Sequence, residues 1–274
     1  MSNSAFATTF RQMTKGHNFL ISSQADKASA LIILPPFADE MNKSRHIISQ
    51  FMRQATQQGF SCYLMDNFGT GDSEGDLEEA TMALWRADLT LLVEQLAAEG
   101  FQQVSFLAIR FGALQLFDLL NSSSLAVPVK EVLLWQPYFD VKKFWQQFFR
   151  IKIAEQMALG EKLSQQQLEQ QLAEGEVIEI AGYPLAPAFY QSTLQGLYSL
   201  PEAFGNNALP LHWLEVSQLA APGVALKKQL EQLQAHCQLN FQLVNAAPFW
   251  NTTELASADE LLRLSLAQLG RSHV

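Results

Sequence analysis

The chain has 274 residues, 48% of them hydrophobic and 16% charged, which excludes a disordered or collagen-like polymer and allows one large domain or a domain with an insert. Asp plus Glu number 27 against 18 Lys plus Arg, for a formal net charge of -9 with no basic run. Nucleic acid is therefore not an expected partner, and anionic membranes are disfavoured.

The opening MSNSAFATTFRQM lacks the apolar stretch of a signal peptide, and no run of about 18 apolar residues offers a membrane span, so a cytoplasmic location is expected. Residues 17–22 read as an antiparallel edge strand or hairpin, with a turn near Gln24 to Lys27. Short apolar runs at residues 31–34, 60–65, 104–108, 132–135, 211–216 and 239–244 have the character of parallel strands buried on both faces. Helical periodicity lies between them. Ile47, Ile48, Phe51, Met52 and Ala55 share one face of a helix over 42–57, and Trp85, Leu89, Leu92, Val93 and Leu96 share another that ends at Gly100. A last helix starts at the capping arrangement Ser257 to Glu260 and carries Leu262, Leu266 and Leu269. Cys62 and Cys237 sit in no metal-binding spacing and read as core residues.

The alternation breaks between about Asp140 and Pro210. An aromatic cluster (Phe144, Trp145, Phe148, Phe149), a Gln-rich helical stretch over 162–174 and a Gly182-Tyr183-Pro184 turn indicate an insert. The expected architecture is α/β, a mostly parallel sheet with flanking helices. Residues 1–140 and 209–274 form the core, and 141–208 a helical cap over the carboxyl ends of the strands, where such sheets bind ligands.

Two segments carry chemistry. Asp66-Asn67-Phe68-Gly69-Thr70-Gly71-Asp72-Ser73-Glu74-Gly75 resembles the glycine-rich loop of α/β-hydrolases related to serine aminopeptidases and monoglyceride lipases. Ala108-Ile109-Arg110-Phe111-Gly112 has the spacing of the G-x-S-x-G nucleophile elbow, with Arg110 in the nucleophile position. A guanidinium stays protonated and cannot attack a carbonyl.

Together with Pro35-Pro36-Phe37-Ala38-Asp39-Glu40-Met41-Asn42-Lys43-Ser44-Arg45, these segments resemble the type 2 family of exosortase A system-associated hydrolases, over about residues 31–140. Weaker likeness continues at Ala181-Gly182-Tyr183 and Pro248-Phe249-Trp250. The resemblance implies an α/β-hydrolase fold and a setting in exopolysaccharide production and protein sorting. It also implies oxyanion-type amides from the Phe37-Ala38 loop and from Phe111.

The acid of this fold normally follows the strand that here spans 211–216, and the next residues, Ser217-Gln218-Leu219, offer no carboxylate, leaving Glu215 as a substitute; the loop after residue 244 holds no His. His17, His46, His212, His236 and His273 fall elsewhere, so a Ser-His-Asp triad is not expected. Arg110 with the two amides would draw an anion, or Glu40 or Asp39 would neutralise it as a tie between loops. Lys43 and Arg45 would add charge at the same rim. Asp66 and Asp72 read as loop braces, and Trp250, standing where the His belongs, would stack on a ligand or fill the imidazole's space.

Three functions follow as expectations. The first is binding of a small anionic or acyl-bearing ligand without serine hydrolysis, through Phe37, Ala38, Glu40, Lys43, Arg110, Phe111 and Trp250. The second is hydrolysis at a non-standard site in which Glu40 or Asp66 activates water. The third is docking of a protein partner on an exposed aromatic surface around residues 144–149. No metal or organic cofactor is expected.

Overall fold

The computed structural model describes residues 6–25, 29–207, 209–252 and 256–271. Its frame is an eight-stranded sheet in the order β1 (Ala7–Met13), β2 (Gly16–Ser23), β4 (Ser61–Met65), β3 (Ser29–Leu34), β5 (Gln103–Ile109), β6 (Val129–Trp135), β9 (Leu211–Val216) and β10 (Leu239–Val244). β1 pairs antiparallel with β2 and β2 with β4, and all other neighbours are parallel. The central strands β3, β4 and β5 are buried almost throughout, as expected of strands covered by helices on both faces.

One layer contains α1 (Asp39–Gln57) and α8 (Asp259–Arg271), whose apolar faces meet Leu31, Ile33, Leu107 and Trp135. The opposite layer contains α2 (Met82–Ala98), α3 (Gly112–Ser122) and α7 (Val224–Gln234), packed on Ile32, Phe106 and Leu134. Each strand divides its alternate residues between these two cores, which follows from the two-residue side-chain period.

The first hairpin differs from the sequence expectation. The strand over 16–23 pairs with β1, which precedes it, and the intervening turn falls at Thr14 and Lys15. β1 was not expected because it is an edge strand with few buried residues and so has little hydrophobic signature. Asp26 and Lys27 of the expected turn lie outside the described residues, as does His273.

Between β6 and β9 the chain leaves the sheet through α4 (Val141–Ala158), α5 (Gln165–Ala173), the hairpin β7 (Ile178–Ile180) and β8 (Tyr183–Leu185), and α6 (Pro187–Leu194). Asp140 caps α4 by accepting from the Lys142 and Lys143 amides, and Ser164 with Gln167 forms a capping box on α5. Phe144, Trp145, Phe148 and Phe149 are all buried, so the expected exposed aromatic docking surface is not there. These rings turn inward onto Phe37, Phe111, Phe189 and Tyr190 and make a core shared by the excursion and the loops and helices above the sheet. Among the described residues, no helix is long and apolar enough to cross a membrane.

Candidate functional site

Arg110 stands at the junction of β5 and α3 with φ 55°, a left-handed backbone that a bulky residue rarely adopts. The turn is fixed by backbone bonds: Arg110 N–H donates to the Trp135 carbonyl at 3.0 Å, while Ala113 and Tyr138 N–H donate to its own carbonyl. A Cβ on Gly112 would collide with the Leu34 carbonyl, which explains the small residue after the turn, and Ala108 is fully buried. This is the strand-turn-helix geometry that lifts one side chain above the sheet.

Here that side chain is a guanidinium held by three residues, Glu40, Tyr138 and Trp250. Nε donates to Glu40 Oε2 at 3.1 Å, and Nη2 donates to Glu40 Oε1 at 2.7 Å and to the Tyr138 hydroxyl at 2.6 Å. Its carbon lies 4.4 Å from the centre of the Tyr138 ring and 4.7 Å from that of Trp250. Burial alone disfavours the charge, but the charge and hydrogen bonds of Glu40, together with Tyr138 and Glu215, outweigh this and raise the Arg110 pKa. Burial likewise pushes the Tyr138 hydroxyl up to about 12, so it stays protonated and donates to Gln147. The two protons of Nη1 have no partner among the described residues.

Glu40 rather than Asp39 neutralises Arg110, because Asp39 pairs with Lys43 at 2.6 Å, one helical turn along α1. Lys43 does lie on the same rim, whereas Arg45 does not. Five residues from Glu40 means about 140° around the helix, which aims Arg45 at the buried Asp66, 3.0 Å away. Asp66 also accepts the Asp72 amide at 3.1 Å and so braces the glycine-rich loop.

The residues singled out in the sequence divide between two cavities. One of about 500 Å³ is bordered by Arg110, Glu40, Lys43, Tyr138, Trp250 and the α4 residues Phe144, Gln147, Phe148 and Ile151. The other, about 30 Å³, is bordered by Ala38, Phe111 and Asp66. Phe37 borders both, with its ring nearly buried between them, so the two amides and the guanidinium do not form the single anion pocket expected. Among the described residues, no Ser, Thr, Cys or His lines the larger cavity. His17 pairs with Glu74, His46 with the Ala256 carbonyl and His212 with Glu131, all away from it.

Sequence reasoning missed Tyr138 and Gln136. Tyr138 carried a faint signal, an aromatic residue just after an apolar strand; Gln136, with φ 44°, carried none. Gln136 donates to Glu215 at 2.9 Å and accepts the Val216 amide, tying β6 to β9 beneath the cavity. The Trp213 indole donates to the second Glu215 oxygen at 2.9 Å. Burial raises the Glu215 pKa above the ordinary carboxylate range, with the Trp213 and Gln136 bonds and then the Arg110 charge opposing. A raised folded pKa adds stability that is fully present below the unfolded value and lost as pH rises through the folded one. The urea midpoint is therefore expected to fall as pH rises above the ordinary glutamate value of about 4.3, and by less in Glu215→Gln; an equal fall in both proteins would contradict this.

The fold is that of the α/β hydrolases, and solved structures of that class superpose along nearly the whole chain. Est1E of Butyrivibrio proteoclasticus, solved with ferulic acid, is 12% identical with a TM-score of 0.66 and coverage of 96% of both chains. A protein from Agrobacterium vitis S4 is 12% identical with a TM-score of 0.64, covering 98% of this chain and 99% of the other. The thioesterase domain from the curacin biosynthetic pathway is 14% identical with a TM-score of 0.57, covering 96% and 99%. At these identities the likeness is one of fold. Among curated proteins, the mitochondrial palmitoyl-protein thioesterase ABHD10 of Homo sapiens and of Pongo abelii is 31% identical over 72 residues, 26% of this chain. The match spans 22% of the length of those relatives. No family model matches the chain.

Proposed function

We propose that this chain is a binding member of the α/β-hydrolase fold, which holds a small anionic or acyl-bearing ligand between the sheet and a cap formed by residues 141–208, without serine hydrolysis. The observation that carries the reading is the Arg110 guanidinium at the elbow, clamped by Glu40, Tyr138 and Trp250 beside a cavity of about 500 Å³, its Nη1 edge without a partner among the described residues. That volume falls in the small-molecule range, and Phe144, Phe148 and Ile151 supply an apolar wall for an acyl chain. A carboxylate or acyl carbonyl oxygen would accept from Nη1, a charge-assisted bond in a largely dehydrated place. Glu40 and Asp66 are both engaged by cations, which counts against either as a water-activating base. The resemblance to exosortase-associated hydrolases supports a cytoplasmic place beside exopolysaccharide production or protein sorting, where a partner protein would use the ligand-bound form.

The test is a thermal-shift titration with straight-chain carboxylates and their matching alcohols, on the wild type and on Arg110→Leu. Carboxylates are expected to raise the wild-type midpoint with chain length, the alcohols to do so weakly, and Arg110→Leu to lose the difference. Equal responses to acid and alcohol, or none to either, would contradict the proposal.

A further inference from the structure

The smaller cavity lies behind the elbow, between the β3–α1 loop, the start of α3 and the loop after β4. Gln115, four residues into α3, borders it with 3% of its surface exposed, and both its Oε1 and its Nε2 lack a hydrogen-bond partner among the described residues. Apart from Asn67, for whose side chain no bond is seen among the described residues, the other polar side chains around this cavity are engaged. Arg45 holds Asp66, Asn42 donates to the Tyr183 hydroxyl at 2.6 Å, Thr70 donates to the Asn67 carbonyl, and the Trp85 indole donates to the Phe68 carbonyl. Ala38 and Phe111 also border the cavity, and their backbone N–H groups have no acceptor among the described residues.

A buried amide with both ends unpartnered is costly, and native proteins meet the cost with an ordered molecule where there is room for one. The space of about 30 Å³ admits one or two water-sized molecules and is far below the roughly 300 Å³ at which small-molecule pockets begin. The molecule must both donate, to Gln115 Oε1, and accept, from Gln115 Nε2 and the loop amides. A simple anion can only accept, and an ammonium ion can only donate. We propose that this cavity is a built water site, in which one or two buried waters join Gln115 to the loop carrying Ala38 and to Phe111 at the head of α3. The amides that would form the oxyanion hole in a hydrolase of this fold are then satisfied by solvent rather than by a ligand. This assignment is independent of what the larger cavity binds.

Gln115→Leu and Gln115→Met decide the sign. With water bridged to Gln115, both substitutions strip its partners, and the thermal midpoint is expected to drop by about 2–4 °C. If the site is dry, each replacement removes an unsatisfied amide and the midpoint rises, which overturns the proposal. Electron density from crystals of the wild-type protein gives a second reading that requires no variant to fold. A peak within hydrogen-bond distance of both Gln115 side-chain polar atoms is expected, and an empty cavity, or one filled by repacked side chains, refutes the site.

Discussion

Replacing Arg110 by Ala is expected to lower the stability of the folded chain by about 3 kcal/mol, because the change removes one half of a half-enclosed ion pair and leaves the other half behind. Arg110 is 8% exposed and Glu40 is paired through both oxygens, so Glu40 loses its bidentate partner while 26% of its side-chain surface remains in contact with water. That residual hydration places the cost at the low end of the range for buried pairs. The Tyr138 and Trp250 rings also lose the cation packed between them. The loss of left-handed strain at this position works in the opposite direction but is smaller, since Ala is also an L residue with a Cβ. For a chain of this size the expected fall in thermal midpoint is on the order of 6–12 °C. The double variant Arg110→Leu with Glu40→Leu should recover most of it, because the buried charge disappears with its partner. A double variant as unstable as the sum of the two single ones would show that the pair is not the source of the cost.

Phe37→Ala is expected to cost about 3–5 kcal/mol, as large as core truncations become. Phe37 leaves the β3–α1 loop and enters the core shared with the excursion, where its ring stacks on Phe189 at 5.4 Å and meets Phe111, Phe144, Trp145, Phe148 and Trp85 within 6.2 Å. The ring packs residues of the main body against the excursion, so the lost packing falls on the contact between the two. Limited proteolysis is expected to cut first within residues 141–208 of Phe37→Ala, and chemical denaturation to show a lower midpoint. Wild-type resistance in that segment would contradict this role for Phe37.

Much of the sheet was legible because parallel strands buried on both faces are apolar throughout: residues 211–216 and 239–244 were expected in full, and the others to within a few residues. β1 was not legible, because an edge strand whose exposed positions carry Ala7, Thr8, Thr9 and Phe10 has no periodicity to distinguish it from loop. The elbow and its Arg were visible as a spacing, and the Glu40 pairing as one of two alternatives. What decided between Glu40 and Asp39 was the rotation of α1, a property of the folded helix. The burial of Phe144 to Phe149 was misjudged because four aromatics on one short stretch read equally as surface or core until the partner ring, Phe37, was placed among them. The division of the expected site into two cavities could not be read from the chain, since it depends on where that one ring comes to rest.

The most direct test of the central claim, that the elbow carries a binding arginine and no nucleophile, is incubation of the wild-type protein with a fluorophosphonate, followed by intact-mass measurement and, in parallel, by assay with p-nitrophenyl esters and acyl thioesters. No stoichiometric adduct and no turnover above the uncatalysed rate are expected. A single phosphonyl adduct together with ester turnover that the reagent abolishes would contradict it.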